Sequence, residues 1–123
     1  MIAAWLLTSA VTGCAGHTTA PHGTVTGMFL MVGGPASLAH PSGVRLPLPG
    51  HVIATSSAGE RFTVSSGKGG RFTMLLPPGI YHLTGYSPRV HVNNRMMRCI
   101  AFHPVHVEVG KSTRGIEVVC SVP

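Results

Sequence analysis

Through most of the second half of the chain, apolar and polar positions alternate with period two. Residues 61–65 set Phe62 and Val64 against Arg61 and Thr63, residues 71–76 align Phe72, Met74 and Leu76, and residues 80–86 align Tyr81 and Leu83. Successive side chains of a strand point to opposite faces, so each segment predicts a strand with one buried face. The same signal marks 24–32, 51–56, 105–109 and 116–120, the last two as antiparallel partners joined through a turn at 110–115. Residues 66–70 predict a hairpin turn. Pro77-Pro78-Gly79 predicts a type II turn, because Pro78 presets φ at its second position and Gly79 accepts positive φ at its third. Seven or so short strands predict an all-β fold, a single antiparallel β-sandwich. Two stretches lack the pattern. Residues 15–22 read as a tether, and 33–50, with Pro35, Pro41, Pro47 and Pro49, as a long contact loop.

Composition narrows the picture. Sixteen Gly and 10 Pro, with no apolar segment of helical period, disfavour a helical bundle. Nine Lys plus Arg oppose three acids, a net charge of +6, and Asp is absent, so Glu60, Glu108 and Glu117 are the only carboxylate side chains. Chemistry that needs paired acids or an Asp-oriented histidine has almost nothing to work with. Phosphate-loop, His-Glu-x-x-His, Cys-x-x-Cys and Gly-x-Ser-x-Gly patterns are missing as well. The expectation is a protein that is not an enzyme and has no cofactor.

The N-terminus suggests a destination. Residues 2–11 form an apolar run far shorter than the roughly 20 residues of a membrane-spanning helix, but of signal-peptide length. The run ends in Val11-Thr12-Gly13-Cys14, which resembles the lipobox of bacterial lipoproteins. That resemblance implies a signal peptide over 1–13, a diacylglyceryl group on Cys14, a lipidated tether over 14–22 and a domain over 23–123. It places the domain outside the cytoplasm, on the outer face of the cell membrane, with the membrane itself as a partner through the lipid. A buried N-terminal strand is the competing reading. Beyond Cys14 two cysteines remain: Cys99 and Cys120 make one disulfide in an exported chain, or two buried thiols in a cytosolic one. A bridge between them would contribute about 3 kcal/mol. Export also directs the basic charge towards an anionic bilayer and away from nucleic acid.

Gly-Lys-Gly-Gly-Arg-Phe-Thr (67–73) and Leu-Pro-Pro-Gly-Ile-Tyr-His-Leu-Thr (76–84) resemble the signature of carboxypeptidase regulatory-like domains. Gly-Thr-Val-Thr-Gly (23–27) and Leu-Pro-Gly-His-Val (48–52) fit the same pattern. These domains share the transthyretin-like sandwich of collagen-adhesin B-type repeats. Over residues 23–122 the resemblance implies a stabilising, adhesive or carbohydrate-facing module, with Tyr81 as a core anchor. The Lys–Asn isopeptide bond of the adhesin repeats is not carried over: Lys68 falls in a turn, Asn93 and Asn94 in a loop, and no acid is near in sequence.

Two groups of residues are candidates for binding. Between positions 86 and 98, Tyr86, Arg89, Asn93, Asn94, Arg95 and Arg98 combine an aromatic ring, amides and guanidinium groups. Guanidinium forks pair with carboxylate or phosphate and tyrosine stacks on sugar faces, so the segment suits a glycan or anionic ligand, or another envelope protein. The bland alternative is a solvated loop closing a sheet edge. Eight His and six Met raise copper or zinc, with His103 and His106 as the best pair. Histidines that alternate with apolar residues, as His82, His91 and His106 do, are more simply the solvent face of strands. The expectation is a lipid-anchored, non-catalytic binding or envelope-structural module, with extracytoplasmic metal binding as the alternative.

Overall fold

The computed structural model describes residues 21–33 and 44–122. Among them there is no helix, and the chain is all-β. Eleven strands follow in order: β1 Gly23–Gly33, β2 Val44–Pro47, β3 Gly50–Ser56, β4 Arg61–Ser66, β5 Arg71–Leu76, β6 Gly79–Tyr86, β7 His91–Val92, β8 Arg95–Met96, β9 Cys99–Ile100, β10 Val105–Val107 and β11 Ser112–Val122. Nine of them form one curled sheet in the order β2-β1-β11-β9-β6-β3-β4. On its flanks β5 shares the outer edge of β1 with β2, and β10 shares an edge of β6 with β9. A separate ribbon pairs β7 with β8.

The sheet is mixed, which corrects the antiparallel expectation. β1 and β11 run parallel from Thr24 opposite Ser112 to Gly33 opposite Val122. The expected pairing of 105–109 with 116–120 does not form either. β10 pairs with β6, Val105 opposite Tyr81, while β11 lies between β1 and β9. Alternation fixes which face a side chain takes, not which strand lies beside it. In its actual place β11 buries Val118 and Cys120 completely.

The turn at 66–70 is present, with Gly70 at φ 73° and its N–H donating to the Gly67 carbonyl at 2.8 Å, but it does not close a hairpin. Among the described residues β4 pairs only with β3 and β5 only with β1, so the two strands are opposite ends of the curl. Between them lies a cleft of about 390 Å³ lined by residues 61–64 and 73–76. Gly79 takes a positive φ of 155°, as the first residue of β6, and not the angle of about 80° of a type II turn. The 33–50 loop contains β2, whose four residues are too few to show a period.

The alternating positions do fill the core. Phe72, Met74, Leu76, Tyr81 and Leu83 are buried with Val25, Phe29, Val52 and Val118 in one cluster. Each such side chain contributes about 2 kcal/mol of burial. Phe29 on β1 lies against Gly85 on β6, where a Cβ would come within 2.9 Å of its ring; the missing side chain lets the two walls of the curl meet. Cys99 and Cys120 form a disulfide within this core, with Cα atoms 4.5 Å apart. That spacing is typical of directly opposed residues in a non-hydrogen-bonded antiparallel pair. Immediately beside it, Val119 opposite Ile100 is the one register pair joining β9 to β11 among the described residues. A covalent bond therefore reinforces the thinnest point of the ladder.

The strands also define two ends. At one, the chain enters at His22, whose carbonyl accepts from the Gly110 N–H at 3.0 Å, and Gly23 sits opposite Leu76. The start of β6 belongs to this end, because Gly79 pairs with Val107. β6 then runs eight residues to Tyr86, a span of roughly 25 Å. The segment 87–98 begins at that far end.

Candidate functional site

Beyond Tyr86 the backbone is organised from within. The hydroxyl of Ser87, fully buried, accepts from the Arg89 N–H at 3.2 Å, and the Ser87 carbonyl accepts from the Val90 N–H. Val90 plugs into the core cluster, and its carbonyl accepts from the Met97 N–H at 3.0 Å, closing the excursion. In between, β7 and β8 are joined by Asn93 and Asn94 at φ 53° and 66°. Two consecutive left-handed residues make the tight two-residue turn of a hairpin, a conformation asparagine tolerates best among non-glycine residues. The Asn-Asn pair was the available signal for this ribbon. Arg89 before the ribbon and Asn93, Asn94 and Arg95 on it are exposed to solvent, and none of the four lines the pocket that holds Tyr86.

Tyr86 and Arg98 are brought together elsewhere, on the outer face of the sheet. They line an open pocket of about 360 Å³ with Ile53, Thr55, Arg61 and Thr84. Register explains the assembly: Ile53 lies opposite Thr84 and Thr55 opposite Arg61, while Val52, Ala54, Leu83 and Gly85 alternate inward. Arg98 reaches the same face from the residue before β9, whose Cys99 is opposite Gly85. Sequence reading missed Arg61, Thr55, Thr84 and Ile53. Alternation puts each on the solvent face, but only the β4-β3-β6-β9 order makes them neighbours.

The pocket's lining contains two arginines and no acidic residue. Elsewhere Glu117 pairs with Arg45 at 2.6 Å and Glu108 with Lys111 at 3.3 Å. The third acid, Glu60, acts on Tyr81, whose hydroxyl is pushed above its ordinary pKa of 10.0, first by burial and then by the Glu60 charge. A larger cavity of about 470 Å³ lies between β1, β5 and β11, but its Arg71 and Glu117 carry opposite charges and Glu117 is already paired.

His103 lines a cavity of about 210 Å³ with Phe102 and Glu117, whereas His106 is exposed on β10 opposite Ile80. Among the described residues no three His, Cys, Asp or Glu side chains gather as a metal-binding group, and no helix is long and apolar enough to cross a membrane. Cys14 and the segments 1–13 and 14–20 lie outside the described residues.

No family model matches the chain, and no curated protein matches it. Among solved structures it is similar to a leucine-rich repeat protein from Bacteroides thetaiotaomicron VPI-5482, at 15% identity and a TM-score of 0.50 over 98% of this chain. The chain spans 15% of that protein's length, and at such identity the likeness is one of fold alone.

Proposed function

We propose that this protein is an exported, lipid-anchored, non-catalytic module that binds a glycan or another envelope component. In this reading the two walls of the curl, β5-β1-β11 and β9-β6-β3-β4, form a sandwich of transthyretin-like type, modified by the parallel β1–β11 pair. The observation that carries the proposal is the opposition of the two ends. The chain enters at Gly23, while Tyr86 and the 87–98 segment stand one full strand length away. A lipid on Cys14, nine residues before Gly23, would hold the domain within about 30 Å of the bilayer and leave the far end turned outward. The lipobox-like Val11-Thr12-Gly13-Cys14 and the buried disulfide agree with an oxidising, extracytoplasmic setting.

The test uses the full chain expressed in a bacterium. Cys14→Ser is expected to release it from the membrane fraction, and Tyr86→Ala to abolish its retention on cell-wall polysaccharide without changing its thermal midpoint. Membrane association that survives Cys14→Ser, or retention that survives Tyr86→Ala, would overturn the corresponding half of the proposal.

A further inference from the structure

Resting on the binding reading above, we infer that the pocket formed by Ile53, Thr55, Arg61, Thr84, Tyr86 and Arg98 is a subsite for an acidic sugar, a saccharide unit bearing a carboxylate or another oxyanion. The charge argument comes first. Among the described residues Arg61 and Arg98 take part in no ion pair and no side-chain hydrogen bond, and no acid lines the depression they share. Two cations converging on one concave surface repel each other and raise its positive potential, an arrangement that an anion between them reverses into attraction. The guanidinium fork is also the side chain best matched to two oxygens of one oxyanion.

The rest of the lining selects a sugar over a bare anion. Tyr86 and Ile53 offer apolar surface for the C–H face of a pyranose ring, and the Thr55 and Thr84 hydroxyls both donate and accept, as a ring's rim hydroxyls require. A volume of about 360 Å³ lies at the small end of ligand clefts and exceeds what a single oxyanion fills. The floor is rigid, since β3 is hydrogen-bonded on both sides, to β4 and to β6. Arg61 stands on β4 and Arg98 beside β9, with β3 and β6 between them, so the two arginines border the pocket from opposite sides. A site on fixed strands loses little conformational freedom on binding.

The experiment measures binding of the full chain to polygalacturonate, to neutral dextran and to phosphatidylglycerol vesicles. It compares wild type with Arg61→Gln, Arg98→Gln, Tyr86→Ala and a charge-matched control, Lys68→Gln, at an exposed position of the 66–70 turn. All are surface changes, and unchanged thermal midpoints verify folding. Each arginine variant is expected to weaken polygalacturonate binding about tenfold, with Lys68→Gln nearly silent. Equal losses for all three charge variants would overturn the subsite in favour of diffuse attraction. Equal losses for the pocket variants on vesicles would assign the pocket to a lipid headgroup and overturn the sugar. Dextran binding that depends on Tyr86 but not on the arginines would overturn this inference and leave the binding reading standing. Failure to bind either polymer would overturn the acidic-sugar subsite, whereas the binding reading falls only if retention on cell-wall polysaccharide is absent as well.

Discussion

Tyr81 shows how one side chain serves both core and turn. Its ring is buried, meets Phe62 edge-on with centroids 6.0 Å apart, and its hydroxyl donates to the Pro77 carbonyl at 2.7 Å. Burial, then Glu60, raises its pKa above 10.0. The unfolded chain therefore ionises first as pH climbs. The stability tied to this group is complete below pH 10.0 and is lost as pH rises through the higher native value. Tyr81→Phe is expected to cost about 1 kcal/mol at neutral pH, from the lost hydrogen bond, and to flatten the alkaline decline in urea titrations. A decline as steep as wild type's would assign it to other groups. Side-chain face is what the sequence conveys best: Phe72, Met74, Leu76, Tyr81 and Leu83 all point inward as their alternation requires. The candidate site was legible only in its Tyr86 and Arg98. Arg61 is distant in sequence and joins them through strand order, which no local pattern encodes.

At the scale of elements, the contact between β9 and β11 is the weakest join in the sheet and the most heavily reinforced. One register pair, Val119 with Ile100, spans it, and the Cys99–Cys120 bridge lies beside that pair. Replacing both cysteines by alanine is expected to cost about 3 kcal/mol in denaturant unfolding, and to make β9 and β10 the first amides to exchange. Full protection of β9 in the double variant would show that packing alone holds the join. β4, β5 and β6 were readable because each repeats its alternation at least twice. β2, β7, β8 and β9 have two to four residues and leave no period to detect. Pairing was the harder problem. β10 and β11 look like a hairpin in sequence, yet β10 finds β6, because burial of Val105 and Val107 is satisfied equally well by any neighbour that completes the core.

For the whole molecule, the parallel contact of β1 with β11 unites the two extremities of the domain. Val25 and Phe29 from one, Val118 and Cys120 from the other, meet in the same core. A chain ending at Lys111 is expected to lose near-UV circular dichroism and any cooperative thermal transition, since β1 and β9 would each lose a partner together with half the disulfide. A sharp melt in that truncated chain would locate the stabilising core elsewhere. The same closure has a consequence in time. Contacts between distant positions form late, because the intervening loop must be ordered before they reward it. A polypeptide emerging N-terminus first holds β1 without its main neighbour until the eleven-residue β11 arrives. The domain is therefore closed only once β11 has been made, and until then its core lacks Val118 and Cys120.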